Sequence, residues 1–235
     1  MIQGKRVLGV ILARSGSKGL PGKNLMHING RPLISWSINS GKNSFYIDDL
    51  IVSTDGDEIA RLCVNEDVEV PFLRPAELAN DTASSFDAVI HAINWLSDRQ
   101  RFYDIVVLLE PTSPLRESSD IDRALELMQE LRSSSIVSIS RAETQHPSFM
   151  YYLGLNKRLE PFLGEYFNSV RRQDLDKLYF LDGTVYCSYI DKLIEKKGFY
   201  HEETSGYVVP KWKSLEIDDK DDFIMVEALM KYREL

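Results

Sequence analysis

The stretch from Val7 to Asn24 reads VLGVILARSGSKGLPGKN, an apolar run that passes directly into a loop rich in glycine and cations. The run Val7–Ala13 predicts a buried strand. Glycines in the loop let a bulky anion approach the backbone N–H groups closely, and Arg14, Lys18 and Lys23 add three cations. Several donors of this kind together suit a triphosphate. A solvated basic loop after a first strand is the plainer alternative.

Short apolar runs alternate with helical patterns through the first 140 residues. The predicted strands are Val7–Leu12, Leu50–Thr54, Val68–Leu73, Ile105–Leu109 and Ile136–Ile139. The predicted helices lie near Leu33–Gly41, Glu58–Asn65, Phe86–Leu96 and Ile121–Leu131, the last with N-cap residues in Ser118–Asp120. This alternation predicts an α/β fold of three layers, with a mostly parallel sheet and helices on both faces.

Polar loops follow several of the predicted strands. They are the loop 14–24, the loop Ser53–Gly56 and the loop Glu110–Arg116. Ligands of such sheets bind beyond the carboxyl ends of the strands, so we expect these loops to form the site. Arg74 follows the predicted strand Val68–Leu73 in a loop stiffened by Pro75, where it would hold a base or ribose, or cap a helix.

Carboxylates are dense near the carboxyl end of the chain. Leu215–Asp218 is predicted as a last short strand before a helix over Lys220–Arg233. Because residues i and i+2 of a strand share a face, Glu216 and Asp218 are expected to point the same way. Two carboxylates beside a triphosphate make a Mg²⁺ site. Asp219, Asp221 and Asp222 are instead expected to cap the helix.

The pattern changes from His146 onward. Phe149–Tyr152 and Leu178–Phe180 are aromatic and strand-like, and the segment between them lacks an apolar core of its own. Because an isolated two-stranded unit is marginally stable, we expect this segment to pack on a partner subunit. We therefore predict one domain over 1–235, with a dimerisation arm at 146–180 inserted in it. Strand character returns at Thr184–Ser188 and Tyr207–Pro210.

The composition argues against several classes of protein. A net charge of −8 over 235 residues disfavours nucleic acid as the main partner, and no run approaches the ~20 apolar residues of a membrane span. Neither G-x-x-x-x-G-K-[ST] nor G-x-G-x-x-G fits the loop 14–24, which disfavours a P-loop ATPase and a dinucleotide-binding domain. Cys63 and Cys187 match no metal spacing and are expected to be buried thiols. A cytoplasmic protein without a membrane segment is the natural interpretation.

Several stretches, in order along the chain, are similar to the motifs of one family. Residues 13–19 with Lys23 and Asn24 look like a nucleotide loop, and residues 109–116, LEPTSPLR, look like a Leu-Gln-Pro-Thr-Ser-Pro-Leu-Arg signature. Residues 171–175, RRQDL, and 182–186, DGTVY, look like later motifs. Over nearly its whole length the chain thus resembles the acylneuraminate cytidylyltransferases, or CMP-sialic acid synthetases, including legionaminic- and pseudaminic-type members.

The resemblance implies an activity and a set of roles. CTP and a 2-keto sugar acid would give a CMP-sugar and pyrophosphate, on a GT-A-like nucleotidyltransferase fold in a homodimer whose arm crosses to the partner. Lys23, Arg14 and Asp218 would be catalytic, and Glu216 and Asp218 would hold Mg²⁺. The implied nucleotide-binding residues are Arg14, Ser15, Gly16, Lys18, Lys23, Asn24, Arg74 and Ser84. The implied sugar-binding residues are Glu110, Arg171, Arg172 and Gln173, with Arg171 or Arg172 of either subunit meeting the sugar carboxylate.

The chain departs from the family pattern at three of these positions. Glu110 stands where the family usually has Gln, Glu216 where it has Asp, and Asp182 where Asn is more frequent. An ionised carboxylate donates no hydrogen bond and repels the carboxylate of the substrate. We therefore expect a related nonulosonic acid with extra amide or hydroxyl donors, of the legionaminic type, in preference to ordinary sialic acid.

Other classes of protein are compatible with the loop 14–24. A Kdo-type cytidylyltransferase or another nucleotide-sugar pyrophosphorylase of this fold would use another acceptor. A GT-A glycosyltransferase normally uses an Asp-x-Asp metal motif in mid-chain. That spacing occurs at 55–57, 120–122 and 174–176, so it does not by itself exclude this class. A catalytically silent nucleotide-binding dimer would have lost charges at Arg14, Lys23 or Asp218, and all three are present.

Overall fold

The computed structural model describes residues 1–17, 19–143, 145–165 and 171–234. The strands, in chain order, are β1 (Val7–Leu12), β2 (His27–Ile28), β3 (Arg31–Pro32), β4 (Asp49–Ser53), β5 (Ile105–Leu109), β6 (Ser135–Arg141), β7 (Tyr151–Leu153), β8 (Leu159–Pro161), β9 (Tyr179–Tyr189) and β10 (Thr204–Val208). The α-helices are α1 (Leu33–Lys42), α2 (Asp57–Asn65), α3 (Ser85–Ser97), α4 (Ser118–Leu131), α5 (Ile190–Lys196) and α6 (Lys220–Arg233). No helix among these residues is long and apolar enough to cross a membrane.

A six-stranded sheet in the order β10–β6–β9–β5–β1–β4 forms the centre of the molecule. β1 pairs in parallel with β4 and β5, and β10 pairs in parallel with β6. β9 runs antiparallel to both of its neighbours, β5 and β6. The other five strands therefore end at one edge, where the loops that follow them gather. The predicted α/β fold with a mostly parallel sheet is confirmed.

The two faces of the sheet bury separate apolar layers. Ile105, Val107 and Leu109 of β5 pack in one cluster with buried residues of α1, α2 and α4. Val106 and Leu108 point the other way and pack with α3 and α5. This alternation is what the two-residue period of a strand requires. A third cluster joins Leu33, Leu115 and Ile217 to Val226 and Met230, and so seats α6 beside the loop Glu110–Arg116.

A bulge interrupts β9 in mid-strand. Val137 pairs with Tyr186 and Ile139 pairs with Leu181, so four residues of β9, Asp182–Val185, lie opposite Ser138 alone. The hydroxyl of Ser138 bridges the irregularity: it donates to the carbonyl oxygen of Asp182 and accepts from the N–H of Val185, at 3.0 and 2.9 Å. Bulges of this kind redirect backbone groups and are common beside active sites.

Three local predictions are wrong, each for a physical reason. Val68–Leu73 makes only isolated bridges, from Glu69 to Ile51 of β4 and from Leu73 to Thr54 just after it, because Pro71 has no N–H for a continuous ladder. Leu215–Asp218 is irregular because it bonds to a loop and not to a strand. The N–H of Ile217 donates to the carbonyl oxygen of Thr112, in the loop Glu110–Arg116, at 2.8 Å. The N-cap of α4 is Glu117, which forms a capping box with Asp120 and leaves the two serines inside the helix.

The aromatic segment forms a small hairpin outside the main sheet. β7 and β8 pair with each other, antiparallel, from Tyr151 with Pro161 to Leu153 with Leu159. The strand character at Leu178–Phe180 belongs instead to the beginning of β9 in the main sheet. The side chains of Leu153, Leu155 and Phe162 are exposed, Leu155 at 90%. This hairpin carries apolar surface that the described part of the chain leaves open to solvent.

Candidate active site

A cleft of about 300 Å³ opens at the carboxyl ends of the parallel strands. The loop after β1, the loop after β5 and the segment before α6 supply most of its charged walls, and the start of α3 closes one end. The sequence-predicted residues that line it are Arg14, Gly16, Lys23, Asn24, Arg74, Ser84, Glu110, Glu216 and Asp218. The cationic loop and the acidic pair, far apart in sequence, therefore face one cavity.

Lys23 joins these two parts directly. It opens a short 3-10 turn, Lys23–Leu25, that begins after Gly22 with a positive φ of 70°, a conformation that glycine adopts without strain. Its ammonium lies 3.1 Å from Oδ1 of Asp218 and donates to the carbonyl oxygen of Ile217 at 2.9 Å. The Lys23 side chain is 14% exposed, whereas that of Asp218 is 76% exposed. The lysine is thus held in place while its partner carboxylate faces solvent.

The first part of the loop is anchored across the cleft. Nη1 of Arg14 lies 2.7 Å from Oδ1 of Asp81, on the opposite wall. The buried amide of Asn24 donates to the carbonyl oxygen of Arg14 at 2.9 Å, which closes the loop on itself. Asp81 was not predicted as a site residue, because nothing in the sequence links it to Arg14, 67 positions away.

The bulge of β9 supports Glu216. Freed from the ladder, the N–H of Gly183 donates to Oε1 of Glu216. A Cβ at position 183 would lie 2.8 Å from that oxygen and 2.8 Å from Oγ of Ser113, so only glycine leaves room for the contact. On the other side, a Cβ at Gly19 would overlap the backbone carbonyl of Asp218. Both acidic residues therefore pack against glycines of neighbouring loops.

Glu110 lies near the carboxylates of Glu216 and Asp218, with Arg116 and Lys23 as neighbouring cations. Its loop is held by the buried guanidinium of Arg116, which donates to the carbonyl oxygens of Glu110 and Thr184 at 3.2 and 2.8 Å. Burial, and then the charges of Glu216 and Asp218, raise the pKa of Glu110 to about 7. Burial also raises the pKa of Glu216, with the bond from Gly183 acting in the opposite direction. The carboxylates of Glu110, Glu216 and Asp218 thus lie close enough in this part of the cleft to raise the pKa of Glu110, and a bound cation would relieve their repulsion.

The donor set fits a hard divalent ion. Glu216 and Asp218 offer carboxylate oxygens, the ligands that Mg²⁺ prefers. Among the described residues, no three or more His, Cys, Asp or Glu side chains are arranged so that they could hold a metal ion together. Since Mg²⁺ usually takes one or two carboxylates together with phosphate oxygens and water, a pair is sufficient.

Ser15 does not line the cleft but anchors the loop after β1. Its backbone N–H and its hydroxyl both donate to Asp55, each at 2.7 Å. Burial raises the pKa of Asp55, but the two bonds from Ser15, together with a backbone bond and the charge of Arg74, leave the net pKa lowered. These bonds tie the loop after β1 to the loop after β4. The sequence predicted that these two loops lie together but not that Asp55 links them.

Arg74 and Ser84 line the cleft and also serve the fold. Nε of the buried Arg74 donates to Oγ of Ser53 at 3.0 Å, and burial lowers the pKa of this guanidinium to about 10. Ser84 is the N-cap of α3: its hydroxyl accepts from the N–H of Asp87 at 3.0 Å. Part of the hydrogen-bonding capacity of each side chain is therefore already used within the protein.

Within one chain, Arg171 and Gln173 of the predicted sugar-binding segment do not line the cleft. Arg171 is exposed and paired with Asp174 at 2.8 Å, and Gln173 lines a separate pocket with His146 and Asp176. Lys18 and the side chain of Arg172 lie outside the described residues. Among the predicted sugar-binding residues whose side chains are described, Glu110 alone lines the cleft.

Comparison with known proteins agrees with the motif resemblance. A cytidylyltransferase family model matches residues 8–159. The N-acylneuraminate cytidylyltransferase of Streptococcus agalactiae serotype V is 36% identical over 92% of this chain, which spans about half (51%) of that relative's length. The CMP-N,N'-diacetyllegionaminic acid synthase of Legionella pneumophila is 34% identical over 96% of this chain and 97% of its own. The pseudaminic acid cytidylyltransferase of Campylobacter jejuni is 31% identical over 95% and 96%.

Solved structures agree on the fold. A CMP:2-keto-3-deoxy-manno-octonic acid synthetase complexed with CTP superimposes with a TM-score of 0.69 at 18% identity, covering 98% of this chain and 100% of that one. A 4-diphosphocytidyl-2C-methyl-D-erythritol synthase from Anaerococcus prevotii superimposes with a TM-score of 0.64 at 10% identity, covering 98% of each chain. The nucleotidyltransferase fold expected from the motifs is confirmed. The chain belongs to the cytidylyltransferase family, in the group of the acylneuraminate cytidylyltransferases with its legionaminic- and pseudaminic-acid members.

Proposed function

We propose that this protein transfers CMP from CTP to a sialic-acid-like 2-keto sugar acid, a nonulosonic acid, and releases pyrophosphate. The observation that carries the proposal is the contact between Lys23 and Asp218, 3.1 Å apart in the cleft. It brings the cationic loop and the acidic pair to one place, as a nucleotide with its counter-ion requires. We further propose that the reaction takes place in the cytoplasm, where CTP is made.

The nucleotide would lie along the cleft wall. Arg14 and Lys23 would meet the triphosphate, with Lys18 and the backbone of Gly16 beside them, because several donors must share its charge. Each cation would exchange its present carboxylate, Asp81 for Arg14 and Asp218 for Lys23, for a phosphate oxygen. The cytidine would lie toward Asn24, Arg74 and Ser84, and Ser15 would hold the loop in shape through Asp55.

Glu216 and Asp218 would hold Mg²⁺. The repulsion among Glu110, Glu216 and Asp218, which adds to the effect of burial in raising the pKa of Glu110, supports this assignment. The position of Gly183 supports it too, because it leaves one oxygen of Glu216 available. When bound, the ion neutralises phosphate charge and polarises the reacting phosphoryl group.

The reaction is an in-line displacement at the α-phosphorus. A bond forms from the anomeric oxygen of the sugar to the α-phosphorus, and the bond to the bridging oxygen of pyrophosphate breaks. The hydroxyl proton goes to a carboxylate of the cleft. Glu110, with a pKa of about 7, suits this transfer near neutral pH. Lys23 would stabilise charge on the α-phosphate and the leaving group, so positioning and neutralisation do most of the work.

The sugar end of the site would be completed by a second copy of the chain. Arg171 and Gln173 do not line the cleft of their own chain, and the β7–β8 hairpin exposes Leu153, Leu155 and Phe162. We propose a homodimer in which this arm packs on the partner and brings Arg171 or Arg172 to the carboxylate of the sugar. Glu110 would face the sugar and favour a substrate with amide or hydroxyl donors, of the legionaminic type.

The test is pyrophosphate release from CTP and Mg²⁺ with a panel of sugar acids: N-acetylneuraminate, a legionaminic acid, a pseudaminic acid and 2-keto-3-deoxy-manno-octonate. We expect the highest kcat/KM with the legionaminic acid and a relative gain for N-acetylneuraminate in Glu110→Gln. A clear preference of the unmodified protein for N-acetylneuraminate would reject the substrate assignment. Turnover of the octonate alone would favour a Kdo-type enzyme, and release from no acid would reject the function.

A further inference from the structure

We propose that Lys213 is a positioning residue, which fixes Glu216 and Asp218 relative to the loop Glu110–Arg116. The inference rests on the proposed function, because it assigns the purpose of the position to metal and nucleotide binding. Lys213 touches neither reacting group. It acts through the segment that carries the two acidic residues.

Lys213 is a buried cation whose charge is met by side chains within the protein. The residue is 5% exposed, and its ammonium lies 2.6 Å from Oδ2 of Asp120 and 2.6 Å from Oε2 of Glu117. The side chain of Asp120 is itself only 4% exposed. Buried charges are normally paired and hydrogen-bonded, and here one cation meets two carboxylates.

The partners of Lys213 belong to a rigid element. Glu117 and Asp120 form the capping box of α4, in which the N–H of Glu117 donates to Oδ2 of Asp120 at 2.8 Å. The hydroxyl of Tyr207, on β10, donates to Oδ1 of the same aspartate at 3.1 Å. Glu117 directly follows Arg116, whose buried guanidinium holds the loop of Glu110. The anchor of Lys213 is therefore fixed to the loop that lines the cleft.

The segment that Lys213 anchors has little regular structure. Residues 209–219 form no strand, and the turn at 211–214 makes local bonds such as that from Lys213 N–H to the carbonyl of Pro210, 2.8 Å. Three residues past Lys213 comes Glu216, and Ile217 then bonds to Thr112. Because no strand pairing fixes this segment, it depends on side-chain anchors. Two of them are charged: the exposed pair of Lys211 with Glu143, at 3.5 Å, and the buried Lys213.

Removal of the ammonium would leave two carboxylates facing each other, one of them buried. The two carboxylates would repel each other, and the buried one would have no cation to offset the cost of its burial. We expect the segment to move away from α4 as a result. The acidic pair would move with it, and misplacement by about 1 Å is enough to cost a site much of its function.

The experiment compares Lys213→Met, Lys213→Arg and the matched control Arg101→Met. Arg101 forms a two-bond ion pair with Glu69, at 2.7 and 2.9 Å, at the opposite ends of the strands from the cleft. Binding of CTP with Mn²⁺ is measured by calorimetry, the Mg²⁺ dependence by pyrophosphate release, and Tm by calorimetric melting. We expect Lys213→Met to weaken Mn²⁺–CTP binding and raise the half-saturating Mg²⁺ concentration about tenfold or more. Lys213→Arg should restore most of both, and Arg101→Met should lower Tm alone.

The outcomes separate the possibilities. Lys213→Met with a lowered Tm but unchanged Mn²⁺–CTP binding would overturn the inference and make Lys213 a purely structural residue. If Lys213→Met does not fold, Lys213→Met with Asp120→Asn removes the uncompensated charge. Weakened binding in that double variant supports the inference, and binding at the level of the unmodified protein overturns it. Failure of the unmodified protein to turn over any sugar acid overturns the proposed function alone, since the calorimetry needs no sugar.

Discussion

The strongest quantitative consequence concerns Glu110 and the pH dependence of folding. Burial and two neighbouring carboxylates raise its pKa from the ordinary 4.5 to about 7, so the folded protein binds a proton more tightly than the unfolded chain does. Stability from this group is fully present below pH 4.5 and is lost as pH rises through about 7. At about 1.4 kcal/mol per pKa unit, the loss is at most about 3 kcal/mol.

Glu110→Gln replaces the carboxylate by a neutral group of the same shape. We expect the variant and the unmodified protein to be similar in stability near pH 4.5, and the variant to be more stable at pH 8. A difference of about 3 kcal/mol corresponds to a Tm higher by roughly 6–12 °C for a chain of this size. Tm is measured across this pH range with a chelator present, because a bound cation would stabilise the ionised glutamate.

The control is Glu58→Gln, at an exposed position in the first turn of α2. It should change Tm little at any of these pH values. A Glu110→Gln variant whose Tm difference is the same at pH 5 and pH 8, or that is less stable at pH 8, would refute the reasoning about the carboxylate cluster.

Three further outcomes follow from the contacts described above. Lys23→Ala should lower kcat by about 100-fold or more with a small change in Tm; equal losses of activity and stability would make the lysine structural. Gly183→Ala should raise the half-saturating Mg²⁺ concentration, because a methyl group displaces Glu216; an unchanged metal dependence would contradict the assigned contact. Leu155→Asp, at a position 90% exposed, should shift the protein from dimer to monomer in analytical ultracentrifugation, whereas an unaltered sedimentation profile would exclude the hairpin from the interface.

The elements that the sequence predicts well are those set by local pattern. β1 and β5 are continuous apolar runs, so their bounds agree with the structure. The last helix also agrees, because Asp219 caps it as its type predicts. Val68–Leu73 also contains valine, leucine and phenylalanine, but Glu69 and Pro71 interrupt the run. A propensity argument that ignored the missing N–H of Pro71 gave the wrong element.

The geometry of the acidic pair shows where local reasoning stops. Glu216 and Asp218 do face one cleft, but the strand periodicity that predicted this does not exist there. Long-range contacts place them instead: Gly183 holds Glu216, and Lys23 lies beside Asp218, 195 positions away in sequence. A single sequence contains no signal for such pairs, since any of many acidic residues would suit the same partners. The roles of these residues in catalysis remain predictions.

The irregularity of β9 has a consequence for engineering. A fully paired strand would commit every amide hydrogen to its two neighbours, and the sheet would gain stability from each. Several amides of the surplus residues opposite Ser138 bond to side chains instead, and that of Gly183 binds the carboxylate of Glu216, outside the sheet. The N–H of Gly183 can therefore either pair within the sheet or bind Glu216 of the cleft, but not both. A redesign that straightened this strand to make the protein more stable would therefore detach Glu216, which forms part of the cleft wall.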